Sequence, residues 1–288
     1  MKIRSLSGVP FEQIHRAFEA AFSDYIEDVS LSSRQLQEVL ERRGFNAQLS
    51  FGAFEAGEIV GFIVNGIGMW NNVRTAYDCG TGVIKAFRQQ GIASRIFEQS
   101  LPVLRQQGIS QYLLEVIKTN HGAVELYRKS GFTVSREFDY WVSAAGCLTV
   151  PSVALPPGMS IKPIERPDWG HLATFWDDQP SWQNSIDSVS RKRARMTLLG
   201  VYREDSIVAY ACMENESGDL PQLAVQQDFR RRGLATALIA QLLSRLDPPD
   251  LRVINTCADS LSMQNFLLSL GMEPGHGQYE MILKLKTN

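Results

Sequence analysis

Cysteine is scarce and scattered: Cys79, Cys147, Cys212 and Cys257 stand far apart, with no Cys-x-x-Cys pair. That spacing excludes a small disulfide-stapled scaffold and gives no zinc frame. Histidine is equally sparse, at His15, His121, His171 and His276, so no metal is expected. No stretch approaches the roughly 18 uninterrupted apolar residues of a membrane-crossing helix. The opening residues Met1 to Gly8 lack the apolar centre of a secretory signal. The expectation is a cytoplasmic protein with no membrane partner. Neither sign of charge dominates, with Lys+Arg 29 against Asp+Glu 31 and a formal net charge of -2, which argues against a nucleic-acid partner. The basic run from Arg191 to Arg195 reads as a solvated helix face.

What is present is ordinary globular composition, 44% hydrophobic and 21% charged over 288 residues, enough for one large or two ordinary domains. Pro151, Pro156, Pro157 and Gly158 crowd the stretch between Gly146 and Ile161, which reads as a linker. The expected organisation is therefore a domain at 1–146, a proline-rich linker at 147–159 and a second domain at 160–288.

One pattern of elements runs twice across that linker. Phe51 to Phe62 reads as a hairpin turning at Ala56-Gly57, and Leu199 to Tyr210 repeats it with the turn at Glu204-Asp205. A short strand then leads into a basic turn and an amphipathic helix in each half. The first turn is Arg88-Gln89-Gln90-Gly91-Ile92-Ala93-Ser94, with Ile92, Ile96, Phe97, Leu101 and Leu104 at helical spacing behind it. The second is Arg230-Arg231-Arg232-Gly233-Leu234-Ala235, followed by Leu238, Leu242 and Leu246. The repeat implies two copies of one α/β (α+β) domain.

A strand running into a turn at a helix N-terminus is an anion site, because the first backbone N–H groups have no partner within the helix and the helix dipole adds positive potential. Neither a G-x-G-x-x-G opening nor a Walker G-x-x-x-x-G-K-[ST] is present, so dinucleotide and P-loop readings fail at their defining positions.

Both turns fit Q/R-x-x-G-x-G/A, and Leu114 to Phe132 closely resembles L-E-V-x-x-x-N-x-x-A-x-x-L-Y-x-x-x-G-F. In these segments the chain resembles the GCN5-related N-acetyltransferases (GNAT), the second stretch being similar to the branch that acetylates ribosomal-protein alanine. The resemblance implies two tandem mixed sheets flanked by helices, each with two parallel strands splayed apart. It implies acetyl-CoA as co-substrate, with no metal, and an amine-bearing small molecule or peptide as acceptor; it allows an oligomer. By the same resemblance Arg88, Gln89, Gln90, Gly91, Ile92, Ala93 and Ser94 form the pyrophosphate site, Val83 pairs with pantetheine and Asn120 bonds its amide. Tyr127 would protonate the leaving thiolate, and Glu115 would take the amine proton through water. Direct transfer needs such an acid and base but no covalent nucleophile. Asp78 is a further candidate base. Lys85 departs from the family, which often carries proline there.

The second copy departs further. Setting Gly271-Met272 against Gly131-Phe132 places Leu267 opposite Tyr127, Ser260 opposite Asn120 and Asn255 opposite Glu115, so this copy is expected to hold CoA without transferring from it, or to act as a scaffold. A chain that binds acyl-CoA as an inactive sensor or scaffold is the alternative reading. The acidic, aromatic loop Ser23 to Asp28, ahead of a capping box at Ser32 to Gln35, is a candidate acceptor contact. Trp176, Asp177, Asp178 and Trp182 are the same in the second copy.

Overall fold

The computed structural model describes residues 1–24, 30–143, 148–246 and 250–285. The chain forms two compact units: unit 1 takes Met1–Glu115, Glu125–Ser135 and the residues from Glu280 on, and unit 2 takes Val116–Val124 and Arg136–Tyr279.

Unit 1 begins with β1 (Lys2–Ser5), α1 (Phe11–Phe22) and α2 (Ser33–Arg43), followed by β2 (Phe51–Glu55), β3 (Glu58–Trp70) and β4 (Val73–Val83). These four strands form an antiparallel meander. The β2–β3 hairpin turns where the sequence expects it, with Ala56 and Gly57 both at positive φ. Apolar spacing makes α1 one-sided, burying Ile14, Ala17 and Ala21, while Phe18 and Phe22 meet Phe62 of β3. Ser32 and Gln35 cap α2 reciprocally, and Gly44 at φ 83 closes it in the left-handed region that favours glycine. The crossover helix α3 (Ile92–Gln106) then delivers β5 (Gln111–Ile117), parallel to β4. After it come α4 (His121–Lys129) and β6 (Thr133–Val142).

Unit 2 contains β7 (Met159–Pro163), α5 (Trp169–Ala173), α6 (Ile186–Arg191), β8 (Met196–Arg203), β9 (Ser206–Glu214), β10 (Gln222–Val225), α7 (Leu234–Leu246), β11 (Arg252–Cys257), α8 (Leu261–Ser269) and β12 (Glu273–Pro274). Strands β7 to β10 make an antiparallel sheet in the order β10-β9-β8-β7. Strand β11 runs antiparallel to Phe138–Val142 of β6. Leu199, Val201, Ala209 and Ala211 pack with Leu234, Leu238 and Leu242 of α7 in a core joined by Leu148, Val150 and Leu155 of the proline-rich stretch.

The last strand, β13 (Gln278–Lys284), contributes Glu280–Lys284 to unit 1, where it lies between β5 and the start of β6. Ser135 Oγ donates to Glu280 O (3.1 Å), and Leu285 N–H donates to Ser110 O (2.8 Å). Hydrophobic periodicity marks residues 278–284 as a strand but does not name its neighbours.

A chain ending at Gly146 lacks the strand that satisfies this gap, and buried unpaired backbone is costly. It is expected to aggregate or melt without cooperativity, and a synthetic peptide covering 277–288 should restore a cooperative melt by circular dichroism. A sharp transition without the peptide would refute this.

Candidate active site

The two basic turns have one geometry. In unit 1 a 3-10 turn at Lys85–Phe87 leads to Gln89 (φ 61) and Gly91 (φ 68), and Gly91 is the N-cap of α3. In unit 2, Gln227–Phe229 leads to Arg231 (φ 60) and Gly233 (φ 76) ahead of α7. Alternating left-handed residues turn successive N–H groups toward one side, the arrangement that cradles anions. Ile92, Ala93 and Ser94 precede the first N–H to bond back within α3, that of Arg95 to Gly91 O at 3.0 Å. Gln89, Gln90 and Gly91 are exposed, and Ile92 is buried.

Arg88 faces inward. Its Nε donates to Val83 O (3.0 Å), its Nη2 to Ala21 O (2.8 Å), and both Nη atoms reach Asp24. Arg230 does the same with Val225 O, Phe175 O and Asp177. The first residue of the motif thus ties the turn to the strand before it and to an upstream acid. Arg88 holds the Asp24 carboxyl below its ordinary range, and Lys85 lies 3.4 Å from the same carboxylate. The remainder of the acidic loop, Tyr25 to Asp28, lies outside the described residues.

Strands β4 and β5 pair only at Thr75–Gln111, Ala76–Tyr112 and Tyr77–Leu113. Asp78 follows that last pair on β4 and Glu115 follows it on β5, so the two carboxylates stand where the strands part. Beyond the fork β4 continues to Val83 along β3, with Val83 opposite Gly61. Tyr77 donates its hydroxyl to Glu115 Oε2 at 2.9 Å. Burial pushes the Tyr77 phenol well above its ordinary value, with the Glu115 charge adding to it, so it remains a donor. Asp78 accepts from Gly80 N–H (2.9 Å), Thr81 Oγ (2.7 Å) and, at 3.4 Å, the Tyr127 hydroxyl.

Tyr127 is half-buried. Its ring meets Phe132 at 5.6 Å, and Phe132 meets Phe97 and Tyr112; this aromatic group fixes where the hydroxyl stands. A cavity of about 20 Å³ joins Ala93 and Ser94 at the start of α3 to Asp78, Thr81 and Tyr127. Asn120 caps α4, accepting from Ala123 N–H at 3.2 Å. Tyr77, Thr81 and Asp24 carry no motif; only their position in the fold identifies them.

Unit 2 opens at the corresponding place. Among the described residues β10 and β11 form no ladder; the segment ahead of β10 meets the start of β11 through Leu220 N–H to Arg252 O (2.8 Å), Arg252 N–H to Gly218 O (3.2 Å) and the Asp219–Arg252 bridge. A cavity of about 600 Å³ lies between them, lined by Val225, Arg230, Ala235, Asn255, Ser260 and Phe266 among others. Leu267, opposite Tyr127 in sequence, is buried in the core. Val153 lies directly against Gly233, whereas nothing crowds Gly91.

Among the described residues no group of three His, Cys, Asp or Glu converges as a metal site, Cys79, Cys212 and Cys257 form no disulfide, and no helix is long and apolar enough to cross a membrane.

The model of the acetyltransferase (GNAT) family matches residues 11–132, and that of an acetyltransferase (GNAT) domain matches 171–273. N-alpha-acetyltransferase MAK3 of Arabidopsis thaliana is 33% identical over 97 residues, 33% of this chain and 51% of that protein. N-alpha-acetyltransferase 30 of Dictyostelium discoideum is 26% identical over 149 residues, 50% of this chain and 78% of that protein. The chain thus spans about half the length of the first relative. A tandem GNAT protein from the clavulanic acid biosynthesis pathway shares the fold with a TM-score of 0.75 at 13% identity, covering 100% of this chain and 99% of that one. A GCN5-related N-acetyltransferase from Sphaerobacter thermophilus does so at 0.72 and 14%, covering 99% and 96%.

Burial raises the Asp78 carboxyl above its ordinary value, and the hydrogen bonds from Thr81, Gly80 and Tyr127 oppose this without cancelling it. A carboxyl raised in the folded state stabilises the fold fully below its unfolded value and loses that contribution as pH rises through the folded value. Asp78→Asn removes this titration. Its melting temperature relative to the native chain should therefore increase as pH rises above the ordinary carboxyl value of about 4, and a constant difference measured by calorimetry would refute the assignment.

Proposed function

Because the chain belongs to the GNAT acetyltransferase family, we propose that its unit 1 transfers an acetyl group from acetyl-CoA to a primary amine by direct attack on the thioester. The observation that supports this most is the small cavity joining the start of α3 to Asp78 and Tyr127, since it links an anion-binding turn to a proton donor. The backbone N–H groups of Gln90 to Ser94 bind the pyrophosphate, and the open edge of β4 at Val83 pairs with pantetheine. Arg88 keeps the turn in shape from behind.

Chemistry at the fork divides between two groups. Glu115, positioned by the Tyr77 hydroxyl, takes the amine proton through water. The neutral nitrogen then attacks the carbonyl carbon, the C–S bond breaks toward sulfur, the new amide nitrogen gives its extra proton to solvent, and Tyr127 protonates the thiolate and regains its proton from solvent. Both relatives carry N-alpha-acetyltransferase names, so the acceptor we favour is the α-amine of a peptide or protein. Domains at 1–146 and 160–288 remain our division of labour, the first transferring and the second not. The wide cavity in unit 2, with Leu267 in its core, favours a second reading for that unit alone: it holds a ligand without reacting with it.

The decisive experiment is thiol release from acetyl-CoA across peptides varied at their first two residues. Release with a subset is expected; none with any, from a protein that still binds acetyl-CoA, would leave an acyl-CoA-binding module. Acetyl-CoA should raise the melting temperature by mass action. Gly91→Glu, which places a β-branchless but charged side chain at a left-handed position in the turn, should abolish the part of that shift arising in unit 1; unchanged calorimetric affinity there would remove the turn from the site. Tyr127→Phe should keep acetyl-CoA affinity and lose ~10²–10⁴-fold in kcat, the usual contribution of a general acid. A kcat near that of the native chain would return Tyr127 to a structural role.

A further inference from the structure

One residue of β4 stands outside its ladder. Val64 and Asn65, neighbours on β3, face Gly80 and Asp78 on β4, so Cys79 is the extra residue of a β-bulge. In a regular strand, residues three apart point to opposite faces. Across this bulge Thr81 Oγ donates to Asp78 Oδ2 at 2.7 Å, and both residues line the cavity that Tyr127 also lines. The bulge therefore decides which side chains of β4 face the cleft, because a ladder without the extra residue would turn Asp78 and Thr81 to opposite sides.

The second copy gives an internal comparison. The β2–β3 hairpin shifts register between Ala53 and Phe54, and the β8–β9 hairpin shifts at the corresponding place, between Val201 and Tyr202. The bulge at Cys79 has no such counterpart: the pairs of β10 with β9, from Gln222–Cys212 to Val225–Ala209, run without a shift. It belongs to the copy that carries Glu115 and Tyr127.

A bulged residue leaves the ladder, and its carbonyl needs a donor from elsewhere. Arg43, the last residue of α2, supplies one: its Nη1 donates to Cys79 O at 2.8 Å. The approach of α2 depends on Gly66 of β3, where an added Cβ would run into Arg43 O and press on Cys79 Sγ. Asn65, fully buried opposite Asp78, is fixed in turn. It accepts from the Tyr112 hydroxyl of β5, and its Nδ2 donates to Leu49 O at 2.5 Å.

We propose that Arg43 is a positioning residue for acetyl transfer, holding the bulge at Cys79 so that the stretch of β4 that meets the pantetheine arm and the stretch at the fork keep one register. Arg43 touches no substrate atom, and the proposal rests on the acetyl-transfer reading of unit 1. In that reading Val83 pairs with the arm while Glu115 and Tyr127 act at the thioester, and the bulge lies between the two places. One residue of strand spans about 3.4 Å. A bulge that relaxes therefore moves the thioester relative to the groups that act on it, and leaves the turn at Gln89 to Ser94 as it was.

The test compares the full native chain with Arg43→Met, which keeps the length of the side chain and loses its donors, using acetyl-CoA and the peptide giving most thiol release. Arg43→Met should lower kcat about 10²-fold, the scale of a 1 Å misplacement at a reacting centre. Its KM for acetyl-CoA and its acetyl-CoA melting shift should stay near those of the native chain. A merely structural role would instead reduce the amount of folded enzyme and leave kcat per folded molecule unchanged. Gly66→Ala attacks the same bond by pushing on Arg43 O, and it carries the test if Arg43→Met does not melt cooperatively. It should lower kcat likewise, and the double variant should be no slower than Arg43→Met alone, since both changes act through one contact. Labelling cysteine with carbonyl carbon-13 reports the bond directly: the signal that disappears in Cys79→Ser should move in both single variants. A kcat within about threefold of the native value in both, an unmoved Cys79 signal, or losses that add in the double variant overturns the positioning role alone. A chain that transfers no acetyl group to any peptide overturns the transfer reading and the role with it.

Discussion

Three parallel pairs, Thr75–Gln111 to Tyr77–Leu113, hold β4 to β5, and past them each strand has to satisfy its backbone elsewhere. That early parting determines most of what is distinctive in unit 1. It leaves one edge of β4 without a strand on it as far as Val83. It also places Asp78 and Glu115 at the vertex of a wedge, where a carboxylate can be enclosed yet remain within reach of the tip of a tyrosine. Had the pairing run two residues further, both side chains would face a closed sheet, and a charge there would need a full set of partners to be tolerated.

The two units show how much of this geometry is backbone and how much is side chain. Both keep the left-handed pair in the turn, and both keep the arginine that ties it to an upstream acid. The turn therefore keeps its shape without the polar residues at the fork, which are separable from it. Where they are replaced by Leu220, Asn255, Ser260 and Leu267, the walls no longer close on one another, and the space between β10 and β11 is wide.

Much of this was legible in the sequence. Alternating and helical apolar spacing located the strands and helices, Ala56-Gly57 and Glu204-Asp205 marked the hairpin turns, and a glycine three residues after an arginine located both left-handed turns ahead of α3 and α7. What was not legible depended on long-range pairing. An arginine beside a phosphate turn reads equally well as a ligand contact or as a clamp, and only Asp24, 64 residues away, and Asp177, 53 residues away, distinguish them. Tyr77 lies 38 residues before Glu115, and nothing local assigns one to the other. The destination of β13 was hidden for the same reason: periodicity reports that a segment is a strand, and neighbours are chosen by the whole sheet.

The place of β13 has a consequence for how the protein is made. Residue 135 leaves the ribosome well before residue 280, by on the order of ten seconds at ordinary elongation rates. Throughout that interval unit 1 has β5 and the start of β6 but not the strand that lies between them. Its sheet carries two unfilled edges while residues 136–279 of unit 2 are being synthesised. The nascent first unit is thus exposed to pairing with strands of other chains, a hazard set by the order of synthesis and absent from the finished protein. Folding of the amino-terminal unit is completed from the carboxyl-terminal end of the chain.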